Sequence, residues 1–329
     1  ATQPVLGDLF RQFCPSLQIK ELCPRVQEAF QKFRRVTYKD SGTMSNEVLA
    51  DQLTQQCQVL CIVNTRKEAQ QIYELLPKEG SFHLSTLMYP AHRKAVLEQI
   101  RQRLKERKIC RVVSTSLIEA GVDVDFPMVY RELAGLDSIA QAAGRCNREG
   151  KRSPDESIVT FFRGEAPVPT LQQINVGAAA AAMSSGGDPG DPQTMQRYFS
   201  ALRYNIGEYT DKNHVVDMLR NGLSGCQLPF KTVAERFRLI NNATSTVYVL
   251  PDEEEALRQR LLNGRANRED YRRAGQYGVN VYEAHYRALL AAGDIVPISE
   301  DGAVLENPGL YSQEMGLSLK ADTGKAEFI

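Results

Sequence analysis

The sequence predicts an α/β protein: a parallel β-sheet with helices on both faces, followed by a smaller mixed α+β domain. Three observations carry that expectation. Over residues 34–165, short apolar runs alternate with stretches of helical spacing, the pattern of a sheet buried on both sides. Residues 167–192 then break the pattern with Pro-Val-Pro, an alanine run and a Ser-Ser-Gly-Gly-Asp-Pro-Gly-Asp-Pro tract. Beyond them, strand, helix and hairpin signals recur without regular alternation.

In order, residues 6–33 read as two short helices broken at Pro15 and Pro24. Val36, Thr37 and Tyr38 are strand-like, and residues 45–56 have helical spacing. Residues 59–63 form a continuous apolar strand, and 67–76 a helix with Ala69, Ile72, Tyr73 and Leu76 on one side. A strand at 81–84 precedes a helix at 91–105, where Val96, Ile100 and Leu104 lie four apart. Residues 111–114 and 128–130 are strands, 139–148 a helix and 157–162 a last strand. The composition of 167–192 cannot bury a core and reads as a linker or mobile insertion. Residues 194–223 are helical, with Tyr198, Leu202, Ile206, Val215, Met218 and Leu219 apolar. A strand at 246–250 leads to a helix at 253–262 whose first turn is acidic, as the helix dipole favours. Residues 279–292 read as helix or strand-to-helix, and 295–305 as a hairpin around Asp301-Gly302.

Composition excludes several classes. The 329 residues allow two domains. Lys+Arg and Asp+Glu both number 40, so any nucleic-acid site must be local. The seven cysteines are odd in number and scattered, and the four histidines stand alone. That argues against a metal site or disulfide framework and fits a reducing cytoplasm. The opening residues lack a signal-peptide pattern, and no run of about 18 apolar residues could span a bilayer.

The chemistry concentrates in residues 112–152. A β-branched run ends in Ser114-Thr115; Glu119-Ala120-Gly121-Val122-Asp123 follows; then comes Gln141-Ala142-Ala143-Gly144-Arg145-Cys146-Asn147-Arg148. On a helix, Gln141, Arg145 and Arg148 share one face at i, i+4 and i+7. Two forked cations and an amide suit an anionic ligand with several oxygens, such as a triphosphate. Polar pairs also fall where strands end, and ligands of such sheets bind beyond those ends. They are Asn64-Thr65, Ser85-Thr86 and Ser114-Thr115. Thr65 opens T-x-x-E with Glu68, a capping box beside free helix amides.

These residues resemble motifs V and VI of superfamily 2 helicases, T-x-x-x-x-x-G-x-D and Q-x-x-G-R-x-x-R. S-T-S-L-I-E-A-G-V-D-V-D-F and R-E-L-A-G-L-D-S-I-A-Q-A-A-G-R-C-N-R-E-G-K are similar, more closely, to the CRISPR-associated helicase–nuclease of type I systems. Ala1-Thr2-Gln3-Pro4 looks like the tail of motif III. F-x-x-V-A-x-x-F-R-L-I from Phe230, Tyr277-Gly278-Val279 and Tyr311…Gly316-Leu317 are similar to that family's C-terminal domain. The resemblance implies a tail of the first RecA-like domain and connector at 1–33, a second RecA-like domain at 34–165, the linker at 166–193 and a C-terminal domain at 194–329.

The same resemblance implies the roles. Arg148, and with it Arg145, would act as arginine fingers on ATP, while Gln141 senses the γ-phosphate or positions water. Gly121 would allow the turn that brings Asp123 to the ribose or to motif VI. Asn64, Thr65, Ser85, Thr86, Ser114 and Thr115 would touch single-stranded DNA, and Arg93 could join them. Magnesium ligands, the His-Asp nuclease domain and its metals would lie upstream. Partners would be a crRNA-guided surveillance complex and the upstream domains, with no membrane. Two superficial matches carry nothing. Gly144 to Lys151 has the wrong spacing for a phosphate-binding loop, and Arg152 replaces its Ser/Thr. Asp252-Glu253 follows Pro251 and starts a helix. Two alternatives stand beside the family reading: another superfamily 2 helicase, or a non-catalytic single-strand-binding module.

Overall fold

The computed structural model describes residues 15–20, 22–119, 121–184, 186–207, 211, 213–225, 227–237 and 244–318. The motif III-like residues 1–4, Ala120, and Arg238-Leu239-Ile240 lie outside them. Of the two helices expected over 6–33, the described residues contain one, α1 (Val26–Lys32), and residues 6–14 lie outside them. Six strands follow: β1 (Thr37–Thr43), β2 (Gln58–Ile62), β3 (Ser81–Leu84), β4 (Cys110–Ser114), β5 (Met128–Glu132) and β6 (Ile158–Arg163). They pair in parallel in the order β1-β6-β5-β2-β4-β3.

Helices α2 (Asn46–Thr54), α3 (Arg66–Leu75), α4 (Pro90–Lys105) and α5 (Leu136–Ala143) connect them. Strand alternation sorts the core. Leu60, Ile62, Val112 and Val129 face α4 and α5, packing with Val96, Ile100, Ala142 and Ala143. Val59, Cys61, Val113 and Tyr130 face the other way, onto Leu49, Leu53, Ala69 and Ile72 of α2 and α3. Both faces are thus dry, as the continuous apolar strands required.

The expectation for 167–192 needs correction. α6 (Gln173–Met183) forms there and packs against α7 (Pro192–Ile206). Ala178, Ala179 and Ala182 are buried with Leu136, Ile139, Phe161 and Tyr198. Small side chains allow close helix approach, so an alanine run supplies a core that its composition seemed to deny.

Next come α8 (Val215–Ser224) and α9 (Phe230–Arg236). A second, mixed sheet of order β8-β7-β10-β9 completes the fold. It contains β7 (Thr244–Tyr248), β8 (Gly278–Tyr282), β9 (Ile295–Ser299) and β10 (Gly302–Leu305), with α10 (Glu255–Leu262) and α11 (Arg268–Ala274) between β7 and β8, and α12 (Glu283–Ala292) after β8. The hairpin around Asp301-Gly302 is β9–β10. Asp252 to Glu254 form a 3-10 turn that opens α10, an acidic helix start and no strand-end metal box. β11 (Tyr311–Ser312) and β12 (Gly316–Leu317) form a final small ladder. No helix of the described residues is long and apolar enough to cross a membrane.

Candidate functional site

The stretch after β4 makes one 3-10 turn, Ser116–Ile118, and turns again at Gly121, where φ is +72° and a side chain would be strained. The chain then passes Asp123, Asp125 and Phe126 to reach β5. Phe126 bridges Cys146 in parallel. Its N–H donates to Arg145 O at 2.9 Å, and Asn147 N–H donates to Phe126 O at 3.0 Å.

That bridge overturns the helix expected over 139–148. α5 ends at Ala143 with Gly144 as its cap, and Asn147 adopts a left-handed φ of +47°. The backbone groups needed for further helical turns are taken by Phe126. Gln141, Arg145 and Arg148 therefore do not share one helical face.

The two arginines are placed differently. Arg145 is 8 % exposed; its Nε donates to Ile118 O at 3.0 Å and its Nη2 to Glu119 O at 2.6 Å. Burial, and then the neighbouring Arg148 cation, lower its pKa. Arg148 keeps 44 % of its side chain exposed and pairs through Nε with Asp123 Oδ1 at 2.7 Å. Gln141 is also exposed. Arg148 and Gln141 thus reach solvent, whereas Arg145 splints the turn after β4. Asp123 meets motif VI, one of the two partners expected for it.

The strand-end residues divide as well. Thr65 caps α3, its Oγ1 accepting from Glu68 N–H at 3.1 Å. Ser85 Oγ accepts from Leu87 N–H at 3.2 Å, and Ser114 Oγ donates to Thr115 O at 2.9 Å. Ser85, Ser114 and Thr115 are buried, while Thr86 is exposed. Arg93 donates through Nη1 to Met88 O at 2.6 Å, which commits it to the loop after β3.

Asn64 belongs to a buried polar network that sequence reasoning missed. Its N–H donates to Glu132 Oε2 at 2.6 Å, its Nδ2 to Leu133 O at 3.1 Å, and its Oδ1 accepts from Arg131 Nη1 at 2.8 Å. Arg131 pairs in turn with Glu119 at 2.7 Å. Glu68 lies beside Glu132; burial first, and the Glu132 charge second, push its carboxyl up to about 8. Burial also raises Glu119, against the pull of Arg131. The signal available in sequence was Arg131-Glu132 at the end of an apolar strand, a charge pair where a dry sheet demands partners. Among the described residues no group of three or more His, Cys, Asp or Glu could hold a metal.

The second sheet's end of the chain docks on the same rim. Tyr89 stacks on Tyr311 with ring centres 5.0 Å apart. His92 Nε2 donates to Gln313 O at 2.9 Å, so its Nδ1 accepts from the Tyr311 hydroxyl at 2.6 Å. Leu317 N–H donates to Leu87 O at 2.8 Å. A Cβ at Gly316 would lie 2.5 Å from Leu87 O, so only glycine permits this approach. Arg66 lies 5.0 Å over the Tyr282 ring.

The parallel sheet order, with helices on both faces, defines a RecA-like α/β domain. Residues 55–151 match the family described as CRISPR-associated nuclease/helicase Cas3, C-terminal. Two curated relatives, both CRISPR-associated nuclease/helicase Cas3, come from Haloferax volcanii and Methanothermobacter thermautotrophicus. The first is 62 % identical over 37 residues, 11 % of this chain and 4 % of the relative; the second is 30 % identical over 108 residues, 31 % and 13 %. The crystal structure of T. fusca Cas3-ATP superposes with a TM-score of 0.56 at 17 % identity, covering 82 % of this chain and 38 % of that one, a likeness of fold. Over residues 55–151 the chain is thus similar to a C-terminal portion of Cas3-type helicase–nucleases, and it spans well under half the length of these relatives.

Proposed function

We propose that this chain is the nucleotide-answering half of an ATP-driven single-stranded DNA translocase, working with upstream motor and nuclease domains against invading DNA. The observation that carries the reading is Arg148: a half-exposed guanidinium, aimed by Asp123 from the segment after β4. ATP, held between this domain and an upstream one, would supply the phosphoanhydride bond whose cleavage drives movement. Arg148 would place its cation at the charge that develops on the transferred phosphoryl group, and Gln141 would orient water beside it. Arg145 holds the turn at Ile118 and Glu119, linking this site to Ser114-Thr115 at the end of β4. Magnesium would be held by upstream residues.

On the rim, Thr86 and the partly exposed Asn64-Thr65 hold phosphates, while Ser85, Ser114 and Thr115 shape the backbone behind them. A crRNA-guided surveillance complex would recruit the whole enzyme, in a cytoplasmic setting. Because α6 and α7 pack on α5 and β6, we place the boundary of the motor domain after Ile206. The test is DNA-stimulated ATP turnover by the enzyme carrying its upstream domains. Arg148→Ala should abolish stimulation while nucleotide binding persists; full turnover in that variant rejects the reading. This chain alone should not turn over ATP.

A further inference from the structure

Asn147 lies beside Arg148 in a conformation that few residues adopt. It is 1 % exposed, and its φ of +47° lies in the left-handed region, where Asn and Gly are favoured. Every hydrogen-bonding direction of its side chain that the surroundings offer is used. Nδ2 donates to Arg35 O at 2.8 Å and to Arg152 O at 2.8 Å, and Oδ1 accepts from Arg152 N–H at 3.0 Å. Its own carbonyl accepts from Gly150 N–H at 2.9 Å.

One amide therefore ties the residues ahead of β1 to both ends of the loop that bears Arg148. Asp125 reinforces the loop: Oδ1 accepts from Arg148 N–H at 2.7 Å, and Oδ2 accepts from Arg152 Nη1 at 3.2 Å. The Arg35 guanidinium donates to Arg148 O. The Arg148 backbone is thus pinned on both its amide and its carbonyl, and Asp123 holds the guanidinium through Nε at 2.7 Å.

We propose that Asn147 is a positioning residue for Arg148: its buried amide fixes the loop from which the guanidinium is aimed. This rests on the reading of Arg148 given above. The chemistry explains the residue type. Glycine would keep the φ but leave Arg35 O, Arg152 O and Arg152 N–H without their partner. Aspartate would keep the acceptor but set a carboxylate against two carbonyl oxygens. Asparagine alone among these three supplies the turn, two donors and an acceptor together.

The test uses Asn147→Gly and Asn147→Asp, with Arg148→Ala as reference, in the enzyme carrying its upstream domains. Both Asn147 variants should lower kcat by about 10²-fold, the scale of a displaced catalytic group, with KM for ATP unchanged. A second readout uses this chain by itself. The Arg148 Nε–H resonance, whose group pairs with Asp123 in the parent, should shift in both variants while the amide signals of the β1–β6 sheet stay dispersed. Parental kcat in Asn147→Gly, where Arg148→Ala is crippled, overturns the inference alone; so does an unchanged Arg148 resonance. Loss of sheet dispersion in step with kcat also overturns it, by assigning Asn147 to folding. Parental kcat in Arg148→Ala removes the reading of Arg148, and the inference with it.

Discussion

Arg131 and Glu119 form an ion pair of 2.7 Å in which the two side chains are 2 % and 6 % exposed. Their environment makes removal of either charge expensive, because the other is left buried without a counter-charge. Arg131→Met should cost about 3–5 kcal/mol of stability. Adding Glu119→Gln should recover part of that loss, since the Glu119 carboxylate is then no longer stranded, while Glu68 and Glu132 still lack the cation. Urea unfolding of the single and double variants measures both; equal loss in the two would show that the ion pair is not what the fold depends on.

Arg145 and Arg148 should separate in experiment. Arg148→Ala should reduce kcat of the enzyme carrying its upstream domains by about 10³-fold or more and leave the melting point of this chain near the parent's, because its head is half in solvent. Arg145→Ala strips the Ile118 and Glu119 carbonyls of their donors and should lower stability by about 1–3 kcal/mol. Differential scanning calorimetry on both variants checks this; matched melting points would contradict the splint described for Arg145.

Glu68 gives the chain a pH dependence with a definite sign. Its folded pKa is raised to about 8, above an unfolded value of about 4.3. Between those values the folded state holds more protons, so this group's contribution falls as pH rises. It is full below the unfolded value and lost by the time pH has passed the folded one. Glu68→Gln should flatten the decline between about pH 5 and pH 8. Chemical unfolding at intervals across that window checks the slope; a parent and variant that fall in parallel would show that Glu68 is not the titrating group.

Single-stranded DNA should bind this chain weakly, with a shallow salt slope of about two to four phosphate contacts, given its zero formal charge. Thr86→Ala combined with Thr65→Ala should weaken binding by a similar factor on every sequence. Ser85→Ala and Ser114→Ala, whose hydroxyls serve the backbone, should act through stability alone. Fluorescence anisotropy over a salt series decides it: a Thr65/Thr86 variant that binds like the parent while melting normally would put the DNA path elsewhere.

Much of this was legible in the chain. The strand at Ser81–Leu84 has the bounds expected from the sequence, and T-x-x-E at Thr65 foretold a real cap. What escaped was set by partners distant in sequence. The end of α5 is decided by Phe126, about twenty residues back from Cys146, and no local propensity encodes that bridge. Parity at a strand's last residue does not say whether a hydroxyl turns inward, so Ser85 and Ser114 read as ligands when they serve their own loops. An alanine run looks like a linker until the facing surface of Leu136, Ile139 and Tyr198 is known. Asn147 stood inside the motif in plain view, yet its left-handed turn depends on Phe126, Arg35 and Arg152 together.

The contact of Gly316 and Leu317 with Leu87 has a mechanical consequence. Leu87 follows Thr86 directly, and its carbonyl accepts from the Leu317 amide, while the stacked rings of Tyr89 and Tyr311 lie two residues further along. If Thr86 grips a strand as proposed, a tug on it would be shared by the last ladder of the chain, not carried by the β3 loop alone. Such a grip would be backed by a backbone hydrogen bond and a ring stack that tie two distant stretches of the chain together.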